Sequence, residues 1–215
     1  MKPSFLERLE SHVLLCDGGT GTLIQAETWD VERDFLGLEN CSEVLVLTRQ
    51  DFVEKVHTAY FAAGADCVET NTFGANEVVL AEFGLAERTR EINRKAAAIA
   101  RHVAEQFSCA GQPRYVLGSV GPGTKLASLG HIAYDVLEAS YAEQARGLVE
   151  GGVDAFLLET HQDLLTLKAA VNGCKRARAE MGQAGLPIFV QVTIEATGTM
   201  LVGSDIAAAA TAIGA

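Results

Sequence analysis

Carboxylates, hydroxyls and glycines are grouped at five places along this chain, each directly after an apolar run. They are Asp17-Gly18-Gly19-Thr20-Gly21, Glu69-Thr70-Asn71-Thr72-Phe73-Gly74, Ser119-Val120-Gly121-Pro122, Glu159-Thr160-His161-Gln162-Asp163 and Thr193-Ile194-Glu195. The first group invites a phosphate-loop reading, and two tests reject it. A Walker A loop needs Lys and then Ser or Thr after its second glycine, whereas Thr22 and Leu23 follow Gly21. A dinucleotide fingerprint needs G-x-G-x-x-G, and Ile24 stands where the third glycine belongs. Cations are nearly absent from these groups, with Lys125 the nearest. Carboxylates suit a cationic ligand group or a metal, and exposed glycine amides suit a small anion. A ligand carrying an ammonium and a carboxylate on one carbon, an α-amino acid, meets both demands.

Each residue also has a plainer reading. Asp17 suits a turn that accepts local backbone N–H groups. Glu69 and Glu159 suit the N-termini of helices, Asn71 and Thr72 suit loop backbone, and His161 suits the surface or a supporting position as well as it suits a ligand role. A metal site for magnesium or zinc from Asp17, Glu69, Glu159 and His161 is conceivable, with no local ligand spacing behind it.

The elements that must position these groups are legible from periodicity. Buried strands are predicted at Val13–Asp17, Asp66–Asn71, Tyr115–Val120, Asp154–Glu159 and Pro187–Ile194. Helices are predicted at Thr48–Ala63 with Gly64 as stop, Arg88–Phe107, Ala133–Glu150 with Gly151-Gly152 as stop, and Asp163–Met181 with Asp163 as N-cap. A further helix is predicted over Ser204–Ile213, capped by Ser204 or Asp205. Apolar strands alternating with helices imply an α/β fold whose parallel sheet is covered on both faces. Two architectures fit, a doubly wound sheet and a (β/α)₈ barrel. Similarity between the GADCVET run from Gly64 and the GVDAFLLET run from Gly152 favours the barrel, of which about five βα units are present. In either case the ligand site lies at the carboxyl ends of the strands.

The 215 residues are 48% hydrophobic and 21% charged, which fits one globular domain with a sizeable core. A formal net charge of −11 argues against nucleic-acid and anionic-membrane partners, because both call for a basic patch. The opening MKPSFLERLESH lacks the apolar core of a secretory signal. No apolar run approaches the ~20 residues that span a bilayer, so the cytoplasm is the expected location. The five cysteines, Cys16, Cys41, Cys67, Cys109 and Cys174, form no C-x-x-C pair and read first as small buried hydrophobes.

Four strings, LLCDGGTGTLIQ, LTRQDFVEKVHTAYFAAGADCVETNTFGAN, LGSVGPGTK and DAFLLETHQDLLTLKAAV, occur in this order. Together they resemble the homocysteine S-methyltransferase domain, in the version that forms the N-terminal module of cobalamin-dependent methionine synthases. The resemblance implies an incomplete (β/α)₈ TIM barrel over residues 1–215, the N-terminal part of a homocysteine-binding domain that ends before the zinc-ligand strands. It implies that Asp17 and Glu159 accept the substrate ammonium and that Gly18 and Gly19 bring amides to its carboxylate. Thr72 would add a hydroxyl, and Asn71 and Asp163 would order the loops. The implied chemistry is methyl transfer to a zinc-activated homocysteine thiolate, giving methionine. The family's zinc cysteines follow a sixth strand and flank an eighth, past Ala215, and none of the five cysteines matches them. This chain alone is therefore expected to be inactive and, with open sheet edges, prone to aggregate. Cobalamin and methyltetrahydrofolate would be handled by other modules. Betaine- or S-methylmethionine-dependent relatives, and a non-catalytic truncated product, are the alternative readings.

Overall fold

The structure, a computed structural model, describes residues 3–214; residues 1, 2 and 215 of the expected domain lie outside it. Four short helices come first, α1 (Phe5–Leu9), α2 (Gly21–Gln25), α3 (Val31–Asp34) and α4 (Leu45–Thr48). They are followed by α5 (Gln50–Ala63), β1 (Cys67–Glu69), α6 (Glu77–Ala81), α7 (Thr89–Phe107) and β2 (Tyr115–Val120). Then come α8 (Tyr134–Gly151), β3 (Ala155–His161), α9 (Leu164–Glu180), β4 (Ile188–Val192) and α10 (Ile206–Ile213). The strands form one parallel sheet in the order β1-β2-β3-β4, as alternating β and α units require. No helix among the described residues is long and apolar enough to cross a membrane.

The sheet has two differently occupied faces. Val68, Val116, Val120, Phe156 and Leu158 point toward α7, α8 and α9 and share a core with Ala97, Leu148 and Leu167. Cys67, Tyr115, Leu117, Ala155 and Leu157 point the other way and form a smaller cluster around Phe5. A capping box from Ser4 and Glu7 starts α1 and places Phe5 edge-on to Tyr115 and Phe189, at ring distances of 5.3 and 5.4 Å.

The predicted first strand is reduced to one bridge, between Cys16 and Cys67. Val13 and Leu15, expected to be buried, are 89% and 62% exposed. The segment has a single neighbour, β1, and no described element covers the side that Val13 and Leu15 present. The ends of the longer elements moved by a few residues at most, because strong breakers mark them. Gly152, at φ 88°, closes α8 in the left-handed conformation that costs glycine least.

Helices α7 and α8 approach so closely that side chains are excluded at the crossing. A Cβ on Gly151 would lie 2.4 Å from the Ala97 Cβ and 2.5 Å from the Arg94 carbonyl oxygen. Gly151→Ala is expected to lower stability by about 1–3 kcal/mol through overpacking, read as a lower urea midpoint. An unchanged midpoint would show that the crossing yields.

Candidate active site

Three site residues stand two positions on from residues of the Phe5 cluster. Glu69 follows Cys67 on β1, Ser119 follows Leu117 on β2, and Glu159 follows Leu157 on β3. Period-2 alternation therefore aims all three off the same face, at the carboxyl ends of the strands. They meet the loop Asp17–Gly21 around a pocket of about 620 Å³. Asn71, Thr72, Ser42 and Glu43 form other parts of its wall, and among the described residues no Lys, Arg or His lines it.

Asp17, Glu69 and Glu159 thus share a partly buried space without a cation. Both carboxylate oxygens of Asp17 accept the Glu69 N–H, at 3.1 and 3.0 Å. Burial pushes the Asp17 carboxyl up to about 7, against the pull of that N–H, and the Glu159 charge adds to the rise. Glu69 is pushed up to about 8 by burial and by the charges of Glu159 and Asp17. Glu159 is held by the Ser119 hydroxyl, which donates to it at 2.5 Å. Such a cluster is poised to take up a cationic group in place of protons.

The glycine loop supplies the opposite polarity. Among the described residues, the N–H groups of Gly18, Gly19 and Thr20 donate to no protein acceptor. The Gly19 carbonyl is held instead, by the Tyr60 hydroxyl at 3.2 Å. A Cβ on Gly19 would meet nothing within 4 Å, so the space beside it is open to a ligand.

One strand end departs from regular pleating. Leu158 pairs with Val190 and His161 with Val192, so β3 spends one residue more than β4 over that stretch. The extra residue leaves a bulge with Thr160 at φ 61°, an unusual conformation for a β-branched side chain. Alternation is inverted across it. Glu159 faces the pocket, while His161 turns to the helix side, fully buried with its ring 6.3 Å from that of Tyr141. Burial pushes His161 down to about 4, leaving a neutral ring. The conceivable metal quartet of Asp17, Glu69, Glu159 and His161 is therefore not assembled.

Asn71 donates to the Ser42 carbonyl at 2.8 Å and ties its loop to the segment before α4. Asp163 caps α9 through the Leu165 and Thr166 N–H groups and also accepts from the Ser128 N–H and hydroxyl. Burial raises its carboxyl, but the Ser128 and Thr166 hydrogen bonds outweigh that and hold it below the usual range.

Thr72 differs from the expectation of a ligand-facing hydroxyl. Its Oγ1 donates to the Ser119 carbonyl at 2.7 Å and lies 2.6 Å from the Thr70 hydroxyl, which accepts the Ser119 N–H at 3.1 Å. This closed ring staples the β1 loop to β2. Thr72→Val should cost about 1–3 kcal/mol of stability, because it strands buried partners. Chemical denaturation reads this directly, and a neutral result would free the hydroxyl for another role.

Two pocket carboxylates were not expected at the substrate ammonium. Glu69 was visible as a strand-end residue, but its approach to Asp17 and Glu159 depends on strand order. Glu43 had no signal: it accepts the Gly74 N–H at 2.8 Å, and burial raises its carboxyl.

Comparison with known proteins gives three findings. A family model described as homocysteine S-methyltransferase matches residues 14–215. Methionine synthases of Mycobacterium tuberculosis and Mycobacterium leprae are 50% and 49% identical over 208 residues, 97% of this chain. The chain spans 17% of the length of each. Among solved structures, the homocysteine methyltransferase MmuM of Escherichia coli in its metallated form aligns with a TM-score of 0.77 at 19% identity, over 97% of this chain and 73% of that one. Its oxidized form gives 0.76 at 18% identity, over 96% and 71%. At such identity the likeness speaks to the fold, and it agrees with the barrel class favoured by the repeated GADCVET and GVDAFLLET runs.

Proposed function

The chain belongs to the homocysteine S-methyltransferase family, and from that premise we propose that its pocket binds homocysteine for methylation to methionine. The observation that carries this reading is the pairing of polarities. Three carboxylates stand together without a cation, beside glycine amides that lack acceptors. The substrate ammonium is taken to lie among Asp17, Glu69 and Glu159, and its carboxylate against Gly18 and Gly19. Ser119 orients Glu159, and Thr72 acts through the hydroxyl ring rather than by touching the ligand. Asn71 and Asp163 order the surrounding loops.

The extensive identity to methionine synthases favours that type over betaine- or S-methylmethionine-dependent enzymes. In this reading residues 1–215 form the homocysteine-binding part of a barrel domain in a longer cytoplasmic protein. Zinc would supply thiol activation. Among the described residues, however, no three His, Cys, Asp or Glu side chains are placed to hold a metal ion, so they do not fit zinc. Zinc, cobalamin and methyltetrahydrofolate are assigned to other parts of the working protein, and those other modules are its partners.

Titration calorimetry tests the pose with homocysteine and N-acetylhomocysteine. Homocysteine is expected to bind, and the acetylated form, which lacks the ammonium, is not. Equal affinities would refute the carboxylate assignment.

A further inference from the structure

Below the carboxylates, on the same side of the sheet, lies a pair of thiols that substrate binding does not use. Cys16 and Cys67 are direct partners across the bridge between the N-terminal segment and β1. The Cys67 N–H donates to the Leu15 carbonyl at 3.1 Å, and the Asp17 N–H donates to the Cys67 carbonyl at 3.0 Å, which fixes the register. Paired residues on neighbouring strands lie ~4.8 Å apart and present their side chains to one face. That spacing falls inside the ~4.4–6.8 Å range of Cα separations that disulfides span. The two thiols are also unequal, since Cys16 is exposed and Cys67 is buried.

We propose that Cys16 and Cys67 form a redox-active dithiol that a small-molecule disulfide converts into an intrachain disulfide beneath the pocket. Cys16, reachable from solvent, is the attacking thiol, and buried Cys67 is the resolving one. The neighbouring Cys67 thiol lowers the Cys16 pKa despite burial and the nearby charges of Asp17 and Asp66. The same contact, with burial, raises the Cys67 pKa. The Cys16 thiolate attacks one sulfur of the disulfide RS–SR and expels RS⁻, leaving a mixed disulfide. Cys67 then loses its proton and attacks the Cys16 sulfur, expelling the second RS⁻. The two cysteines are oxidised, RS–SR is reduced to two RSH, and the two cysteine protons end on the two leaving thiolates. The Cys16 segment is held to β1 by few backbone bonds, so it can adjust to close the bridge. Cys41 and Cys174 are buried and Cys109 is exposed, and the bridge register that joins Cys16 to Cys67 has no counterpart for them.

The test uses the full 215-residue chain, incubated with oxidised glutathione, alkylated and digested for peptide mass analysis. The expected product is a linked pair of peptides carrying Cys16 and Cys67, with both thiols lost to alkylation and both recovered after dithiothreitol. Cys67→Ser should stop the reaction at a Cys16–glutathione adduct, and Cys16→Ser should leave Cys67 unreacted. Circular dichroism confirms that both variants keep their helix content. A wild-type chain that stops at the Cys16 adduct, or that reacts at Cys109 while Cys16 stays free, overturns the proposal.

Discussion

Glu159→Gln should weaken homocysteine binding by about 10- to 100-fold, because it removes a full charge from the group that faces the ammonium. Charge-assisted hydrogen bonds are worth about 1.5–3 kcal/mol, and each 1.4 kcal/mol is about tenfold in affinity. The variant is a clean probe of charge. The Ser119 hydroxyl that donates to Glu159 can donate equally to an amide oxygen, so the side chain keeps its place. Asp17→Asn should behave alike, since an amide oxygen can still accept the Glu69 N–H. Calorimetry on both variants decides the matter. Unchanged affinity in the pair would place the ammonium elsewhere, whereas a loss in one alone would show which carboxylate it touches.

Glu69→Gln should make the empty protein more stable at alkaline pH, by about 1–3 kcal/mol near pH 9 after allowance for solvent screening. The sign follows from proton binding. In the unfolded chain this carboxyl titrates near 4.5, whereas in the folded pocket it is raised to about 8. Between those values the folded state binds more protons, so this group's contribution to stability falls as pH rises. Below about pH 4.5 the group is protonated in both states and the pH-dependent gap between variant and wild type closes. Asp17, raised to about 7, contributes in the same sense, and because its charge also raises Glu69 the difference includes relief of their mutual repulsion. Urea unfolding at pH 5, 7 and 9 reads it. A variant that is less stable at pH 9 would mean that Glu69 carries its charge comfortably and the pocket is not short of cations.

The parts of this architecture that rest on local chemistry were legible in the sequence. Tyr115–Val120 is an apolar, β-rich run before Gly-Pro-Gly, and it forms β2 with those bounds. Asp163 reads as an N-cap from its place ahead of an apolar-periodic run, and its carboxylate accepts the N–H groups of Leu165 and Thr166. Helices α1 to α4 span only four or five residues each, too few for a period of 3.6 to register. The long-range relations were not legible either. Thr72 is committed to Ser119, 47 positions away, so its sequence neighbourhood says nothing of its partner. Glu69 becomes a third pocket carboxylate through the order β1-β2-β3, which no short window encodes. Val13 and Leu15 look like core by hydropathy, yet burial requires a covering element as well as an apolar side chain.

The bulge at Thr160 makes the spacing between the pocket and α9 a matter of phase rather than reach. With one residue out of step, a single strand serves two environments of opposite character, offering a carboxylate to solvent-filled space and, two residues on, an imidazole to the helix layer. Regular pleating of the same residues would carry His161 round to the carboxylates, whereas removing Thr160 would set His161 directly after Glu159 and leave it on the helix side. Regular pleating would thus bring an imidazole to the carboxylates and take it from its packed position beside Tyr141. The irregular step at Thr160, rather than the length of the connection, is therefore what keeps the imidazole out of the pocket.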